Sequence, residues 1–207
     1  VDGEKYSWER PISTPQTGFS FVSQSRAWLP DAIGGVYWYG VDDTSATCWV
    51  PLYSGIDRLP ESFATGRIDR FDWDSAWWAF NLAANLANLK YSLMQPEIAA
   101  LQRELEGLAF ARQEAVEKVA TELWAGDPEA ARRFLTDYSV GHAEEVVRRW
   151  RELAGRLITR FNDGYVVEPG ADPERGYPEA WLRAVAAAEG DRLRLRQPET
   201  AETDLPY

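Results

Sequence analysis

One cysteine, one histidine and one methionine occur in 207 residues. With only Cys48 and His142 available, an internal disulfide, a thiolate zinc cluster, an iron–sulfur site and an HExxH metalloprotease are excluded. Basic residues are scarce as well. Lys and Arg number 22 against 33 Asp and Glu, a net charge of -11, so the field that draws in a phosphate backbone is missing and nucleic acid is not an expected partner. No charge-free apolar run reaches about 18 residues, and residues 1–11 (VDGEKYSWERP) lack the apolar centre of a secretory signal, so no membrane contact is expected. The glycines of IGG and AGR fit no phosphate loop, and no ligand cluster implies a metal. No cofactor is expected.

What is present is aromatic weight. Ten Trp, nine Tyr and eight Phe stand among 45% hydrophobic residues, and at this length roughly 70% of the unfolded surface can be buried. That describes one globular domain, or at most two small ones. The chain starts at Val1, so secretion stays open while a cytoplasmic location is the favoured expectation.

Along the chain, residues 1–18 contain two prolines, Pro11 and Pro15, and read as an irregular leading segment. Three strands are predicted at 19–28, 36–41 and 47–53, the last two forming an antiparallel hairpin. The middle one is apolar on both faces, with Val36 and Trp38 on one side and Tyr37, Tyr39 and Val41 on the other. Such a strand suits a sheet covered twice, and three strands are few for that. From residue 72 the pattern turns helical. Asp72 is the predicted N-cap of the first helix, Pro96 the start of the second and Gly126 its stop, while Asp127–Pro128 opens a short third helix. That helix leads through Ser139 and Gly141 into a longer one with Val146, Trp150, Leu153, Leu157 and Phe161 on a single stripe. A turn-rich loop at 162–176, a last helix at 177–189 and a frayed acidic tail at 197–207 complete the reading. Strands first and helices after give an α+β class, with sheet residues at 19–71, a helical region at 72–190 and a tail at 191–207.

Candidate chemistry is thin. Cys48, beside Trp49 in a strand, reads as a small core residue whose thiol burial makes inert. His142 reads as a surface or capping histidine at a helix start. Asp42 and Asp43 at the hairpin turn serve either as turn formers or as a carboxylate pair for a substrate ammonium. Arg26 stands at the end of a strand that opens with apolar residues and has to meet a carboxylate, a carbonyl or water, so an ion pair and a substrate contact both fit. Asn81, Asn85 and Asn88 share a helix face and either line a polar site or bond backbone. Trp73, Trp77 and Trp78 are expected in a core or an interface.

The wording of four segments says more. FVSQSRAWLPDAIGGVYWYGVDDTSATCWVPLYSGI, FDWDSAWWAFNLAANLANLKYS, FLTDYSVGHAEEVVRRWRELAGRLITRFNDGYV and GYPEAWL resemble the C-terminal part of the cysteine dipeptidases of the N-terminal-nucleophile (Ntn) hydrolase superfamily. The resemblance runs from about residue 18 to residue 185. It implies an αββα sandwich of four layers, in which a processed N-terminal cysteine attacks a peptide carbonyl and its own α-amine, titrating near 7.7–8.0, moves the proton. Val1 offers no such side chain and Cys48 does not match the nucleophile, so no catalytic residue is assigned here. The expectation is a C-terminal portion of a dipeptidase, silent alone, that associates with the missing half or with itself. Arg26 is then the leading contact for a dipeptide or its oxyanion, followed by Gln24, Asp42 and Asp43. The alternative is a catalytically silent helical module for binding or assembly.

Overall fold

The computed structural model describes residues 3–194 apart from 8, 10, 173 and 176. The predicted acidic tail therefore lies almost wholly outside the described residues. Two compact units divide the chain, residues 1–158 and 159–207.

In the first unit, β1 (Phe19–Ser25), β2 (Gly35–Val41) and β3 (Val50–Tyr53) form an antiparallel sheet in the order β1-β2-β3. β1 stops three residues short of expectation, because the backbone N–H of Leu29 turns back onto the Arg26 carbonyl at 3.2 Å. A single helical turn, α1 (Asp31–Gly34), leads into β2, and α2 (Glu61–Ala64) is a second one. Facing pairs in the register place Val22, Gln24, Val36, Trp38 and Tyr53 on one side of the sheet, and Phe19, Phe21, Tyr37, Tyr39, Val50 and Leu52 on the other.

The helices cover the first side. They are α3 (Ala76–Ala87), α4 (Tyr91–Gly126) and α5 (Pro128–Arg160). Ile33, Val36, Trp38 and Tyr53 pack with Ala109, Val116 and Ala120 of α4 and Leu135 of α5. Phe80 of α3 stacks on Trp150 of α5 at 4.7 Å, and each such side chain withdrawn from water contributes about 1.5–3 kcal/mol. The opposite side is only partly covered. Val50 is fully buried, yet Phe19, Phe21 and Tyr37 remain about half exposed and pair with one another or with Tyr39 as rings. The double coverage expected of β2 is met on one side alone among the described residues.

Three helix boundaries differ from the sequence reading. Asp72 does not cap α3: its carboxylate accepts from the Asp74 N–H at 2.9 Å in a local turn, and the helix starts at Ala76. α4 begins at Tyr91 and carries Pro96 inside its second turn, where the missing N–H costs one early bond without ending the helix. α5 is continuous through Gly141, which faces open space; its apolar stripe outweighs the roughly 1 kcal/mol that a helical glycine costs. The break between α4 and α5 is as read, with the Asp127 carboxylate accepting from the N–H groups of Glu129 and Ala130 at 3.0 Å.

The second unit holds a one-turn 3-10 helix (Asn162–Gly164), the short antiparallel pair β4 (Tyr165–Val166) and β5 (Glu174–Arg175), and α6 (Glu179–Glu189). Tyr177 stacks on Trp181 at 4.8 Å beside α6. No helix among the described residues is long and apolar enough to cross a membrane.

Candidate functional site

Arg26 sits where β1 ends and the chain turns into α1. Its Nε donates to the Gly34 carbonyl at 3.3 Å, its Nη2 to the Ile33 carbonyl at 3.2 Å and its Nη1 to the Glu117 carboxylate of α4. The turn closes because Gly34 has no side chain: a Cβ there would stand 2.5 Å from the Arg26 carbonyl. One oxygen of Glu117 also accepts from the Tyr53 hydroxyl at 3.2 Å and from Gln113 Nε2 at 2.9 Å. Gln113 Nε2 in turn donates to Gln24 Oε1 at 2.9 Å. Burial and the neighbouring Glu117 charge push the Tyr53 phenol up, so it stays a neutral donor to that carboxylate.

Gln24, Arg26, Tyr53, Gln113 and Glu117 thus form one polar network between the sheet and α4. Two hollows adjoin it. One of about 340 Å³ is lined by Ser25, Arg26, Ala27, Asp31, Gly34 and Gly35. The other, of about 480 Å³, has Trp38, Trp49 and Phe110 as its walls and Gln24 and Gln113 at its polar end.

Asp42 and Asp43 lie at the other end of the sheet. The Asp42 N–H pairs with the Gly18 carbonyl at 2.9 Å, while the Arg26 N–H pairs with that of Gly34. The whole length of β1, about 25 Å at strand spacing, separates the two ends, and one dipeptide cannot reach both. Asp42 is 1% exposed with a positive φ of 66°. One of its oxygens accepts from Asn81 Nδ2 at 3.0 Å, and Asn85 Nδ2 donates to Asn81 Oδ1 at 2.8 Å. Burial raises the Asp42 carboxyl above its ordinary range, and the Asn81 bond opposes that. Asp43 accepts from the Ser45 N–H and hydroxyl at 2.9 Å and from the Ser13 hydroxyl at 3.1 Å, which is turn chemistry. Asn88 ends α3 at its C-cap.

Cys48 is fully buried, and burial reinforced by the Glu106 carboxylate pushes its thiol well above the ordinary range. His142 corrects the sequence reading. It lies 9% exposed in the middle of α5, stacked on Tyr138 at 6.2 Å, and burial together with Arg112 lowers its pKa. The helix that was read as starting there had begun fourteen residues earlier, at Pro128. Trp73, Trp77 and Trp78 join Phe71 in a ring cluster that leaves Trp73 51% exposed, so it is not core.

Gln113 and Glu117 were missed. A signal exists: both fall on the face of α4 that carries Ala109, Val116 and Ala120, where polar side chains one turn apart interrupt an apolar stripe.

Residues 2–104 match the sequence profile described as Peptidase family C69. The chain is 22% identical over 148 residues to the probable dipeptidase B of Streptococcus pyogenes serotype M1, covering 72% of this chain and 30% of that protein. It is 24% identical over 157 residues to the probable dipeptidase A of S. pyogenes serotype M3 (strain SSI-1), covering 74% of this chain and 33% of that protein. The probable dipeptidase A of serotype M1 is 25% identical, with 74% and 32% covered. The chain therefore spans about a third of the length of these relatives. Profile and relatives agree with the resemblance carried by FVSQSR, VYWYGVDD and the tryptophan-rich helix: over residues 2–104 this chain is similar to Peptidase family C69, and that match together with the dipeptidase relatives supports a cysteine dipeptidase family.

Proposed function

We propose that these residues form the C-terminal part of a dipeptidase whose nucleophilic cysteine lies outside the 207 residues. The observation that carries this reading is the state of Cys48. The chain's one thiol is sealed in the core, and burial together with the Glu106 charge favours its protonated form, so it has no access to a peptide carbonyl.

In this reading an N-terminal cysteine thiolate adds to the dipeptide carbonyl while its α-amine holds the proton. Collapse of the tetrahedral species breaks the C–N bond and passes that proton to the departing amine. Water then cleaves the thioester, returning the thiol and releasing the acid. Arg26 and Gln24 contribute the wall nearest the reacting groups. Three of the five Arg26 N–H groups are engaged by Gly34, Ile33 and Glu117, which fixes the guanidinium and leaves one N–H on each Nη for a carboxylate or an oxyanion. Asp42 and Asp43 organise the far turn. The half-bare face with Phe19, Phe21 and Tyr37 supports a second sheet stacked on this one, as in a four-layer αββα sandwich.

The test is hydrolysis of free dipeptides by the native polypeptide that contains these residues, beside the 207-residue chain. The reading requires thiol-sensitive hydrolysis by the former and none by the latter. An inactive native polypeptide overturns it. The exposed Phe71–Trp73 cluster favours a second reading, a silent binding or assembly module; that reading requires an inactive native polypeptide that holds a stoichiometric partner.

A further inference from the structure

The two edges of the sheet are treated differently. Along β3 the outward N–H groups are met: that of Trp49 donates to the Glu106 carboxylate at 3.1 Å, Pro51 has none, and that of Tyr53 donates to the Ser139 hydroxyl at 3.5 Å. β1 has no such closure. The bonds Asp42 N–H to Gly18 and Arg26 N–H to Gly34, at its two ends, fix the even-numbered residues of β1 as those bonded to β2. The backbone N–H and C=O groups of Phe19, Phe21, Ser23 and Ser25 therefore point away from the sheet, and no strand pairs with them among the described residues.

Nothing in β1 blocks pairing on that side. FSFVSQS carries no charge and no proline, the devices with which sheet edges are normally protected. Phe19, Phe21 and Val22 are 57%, 51% and 54% exposed. The 480 Å³ hollow opens beside Val22, Ser23 and Gln24, with Trp49 held by its indole N–H on the Ser20 hydroxyl at 2.9 Å and Phe110 set 4.5 Å from Trp38. A strand laid along β1 would place alternate side chains next to Val22 and Gln24, over that hollow, and the others next to Phe19 and Phe21.

We propose that the outer edge of β1 is a strand-addition site that takes an uncharged extended segment, with an apolar side chain seated between Trp49 and Phe110. The occupant is a segment of the same dipeptidase polypeptide, from the two thirds of its relatives' length that these residues do not span. The inference rests on the proposed function in taking this chain as part of such a dipeptidase. Main-chain bonds to the four odd-numbered residues supply the affinity, and the aromatic hollow supplies the choice of segment.

The test is amide exchange at Phe19, Phe21, Ser23 and Ser25 in the 207-residue chain and in the native polypeptide, with a photo-crosslinker placed by Phe110→p-benzoylphenylalanine. The site requires fast exchange in the 207-residue chain, slowing of at least about a hundredfold in the native polypeptide, and a crosslink to an apolar segment outside residues 1–207. Ser23→Pro removes one outward N–H without touching a β1–β2 bond and should return the remaining edge amides to fast exchange. If that variant does not fold, Phe110→Ser reports on the hollow alone and should abolish capture by a second crosslinker at Val22. Equal exchange in both polypeptides overturns the proposal, as does a crosslink to a different protein or protection that grows with concentration of the 207-residue chain alone, the mark of a second copy. Dipeptide hydrolysis is read separately: a protected edge without hydrolysis removes the proposed function and leaves the site, and hydrolysis with an unprotected edge does the reverse.

Discussion

The Arg26 guanidinium at the end of β1 and the Glu117 carboxylate in α4 form an ion pair between residues 91 apart in sequence, with side chains 9% and 13% exposed. Nearly all the solvent that normally screens such a pair is gone, so removing one partner strands the other. Arg26→Met should lower the unfolding free energy by about 3–5 kcal/mol. Glu117→Gln, which keeps an acceptor, should cost about 1–3 kcal/mol. Urea unfolding of both variants measures this. A loss below about 1 kcal/mol for Arg26→Met would place the pair with exposed ones and contradict the network.

Cys48 should resist alkylation in the folded state. With the thiol raised by burial and by Glu106, reaction with iodoacetamide at pH 8 should proceed only as fast as the chain opens, slower than in urea by at least about a thousandfold. Labelling of the native fold at the rate of a free thiol would contradict its place in the core.

His142 sets a slope on the acid side of neutrality. Its folded pKa lies below the unfolded value of 6.5, so the unfolded chain binds the extra proton first. Stability is full above about 6.5 and falls as pH drops below it, by at most about 1.4 kcal/mol per pH unit, until the folded pKa is passed. Tyr138, Arg112 and Glu145 face this ring. His142→Phe should flatten the slope in thermal melts between pH 5 and pH 7, and an unchanged slope would assign it elsewhere.

Asp42 offers the opposite sign. Its carboxyl is raised by burial, so stability falls as pH climbs from the unfolded pKa through the folded one. Asp42→Asn keeps the Asn81 bond through its side-chain oxygen and tolerates the positive φ, and should change stability at pH 7 by less than about 1 kcal/mol. Asp42→Ala loses both and should cost about 2–3 kcal/mol. Equal losses in the two variants would show that the charge itself matters.

Local chemistry made parts of the fold legible. Alternating aromatic and branched residues marked all three strands of the main sheet, and Gly126, Asp127 and Pro128 marked the break between α4 and α5. Cys48 was readable as core because it stands beside Trp49 in a run of aromatic and β-branched residues. What failed depended on distant contacts. Gly141 signals a boundary by propensity, yet the stripe from Leu135 to Leu157 holds the helix through it, and that continuity buried His142. Arg26 announced its need for a partner, but Glu117 could not be chosen from a single chain because pairing over such a separation leaves no local pattern. The distance between Arg26 and Asp42 was equally hidden, since it follows from the register of β1 on β2.

The central claim is that the nucleophile lies outside these residues. It is tested most directly by treating the native polypeptide with a radiolabelled thiol reagent until dipeptide hydrolysis stops, then locating the label by mass spectrometry. The account predicts one label per inactivated molecule, on a cysteine outside residues 1–207, with Cys48 unmodified and Cys48→Ala fully active. Label on Cys48, or activity lost with Cys48→Ala in a protein that still folds, would contradict it.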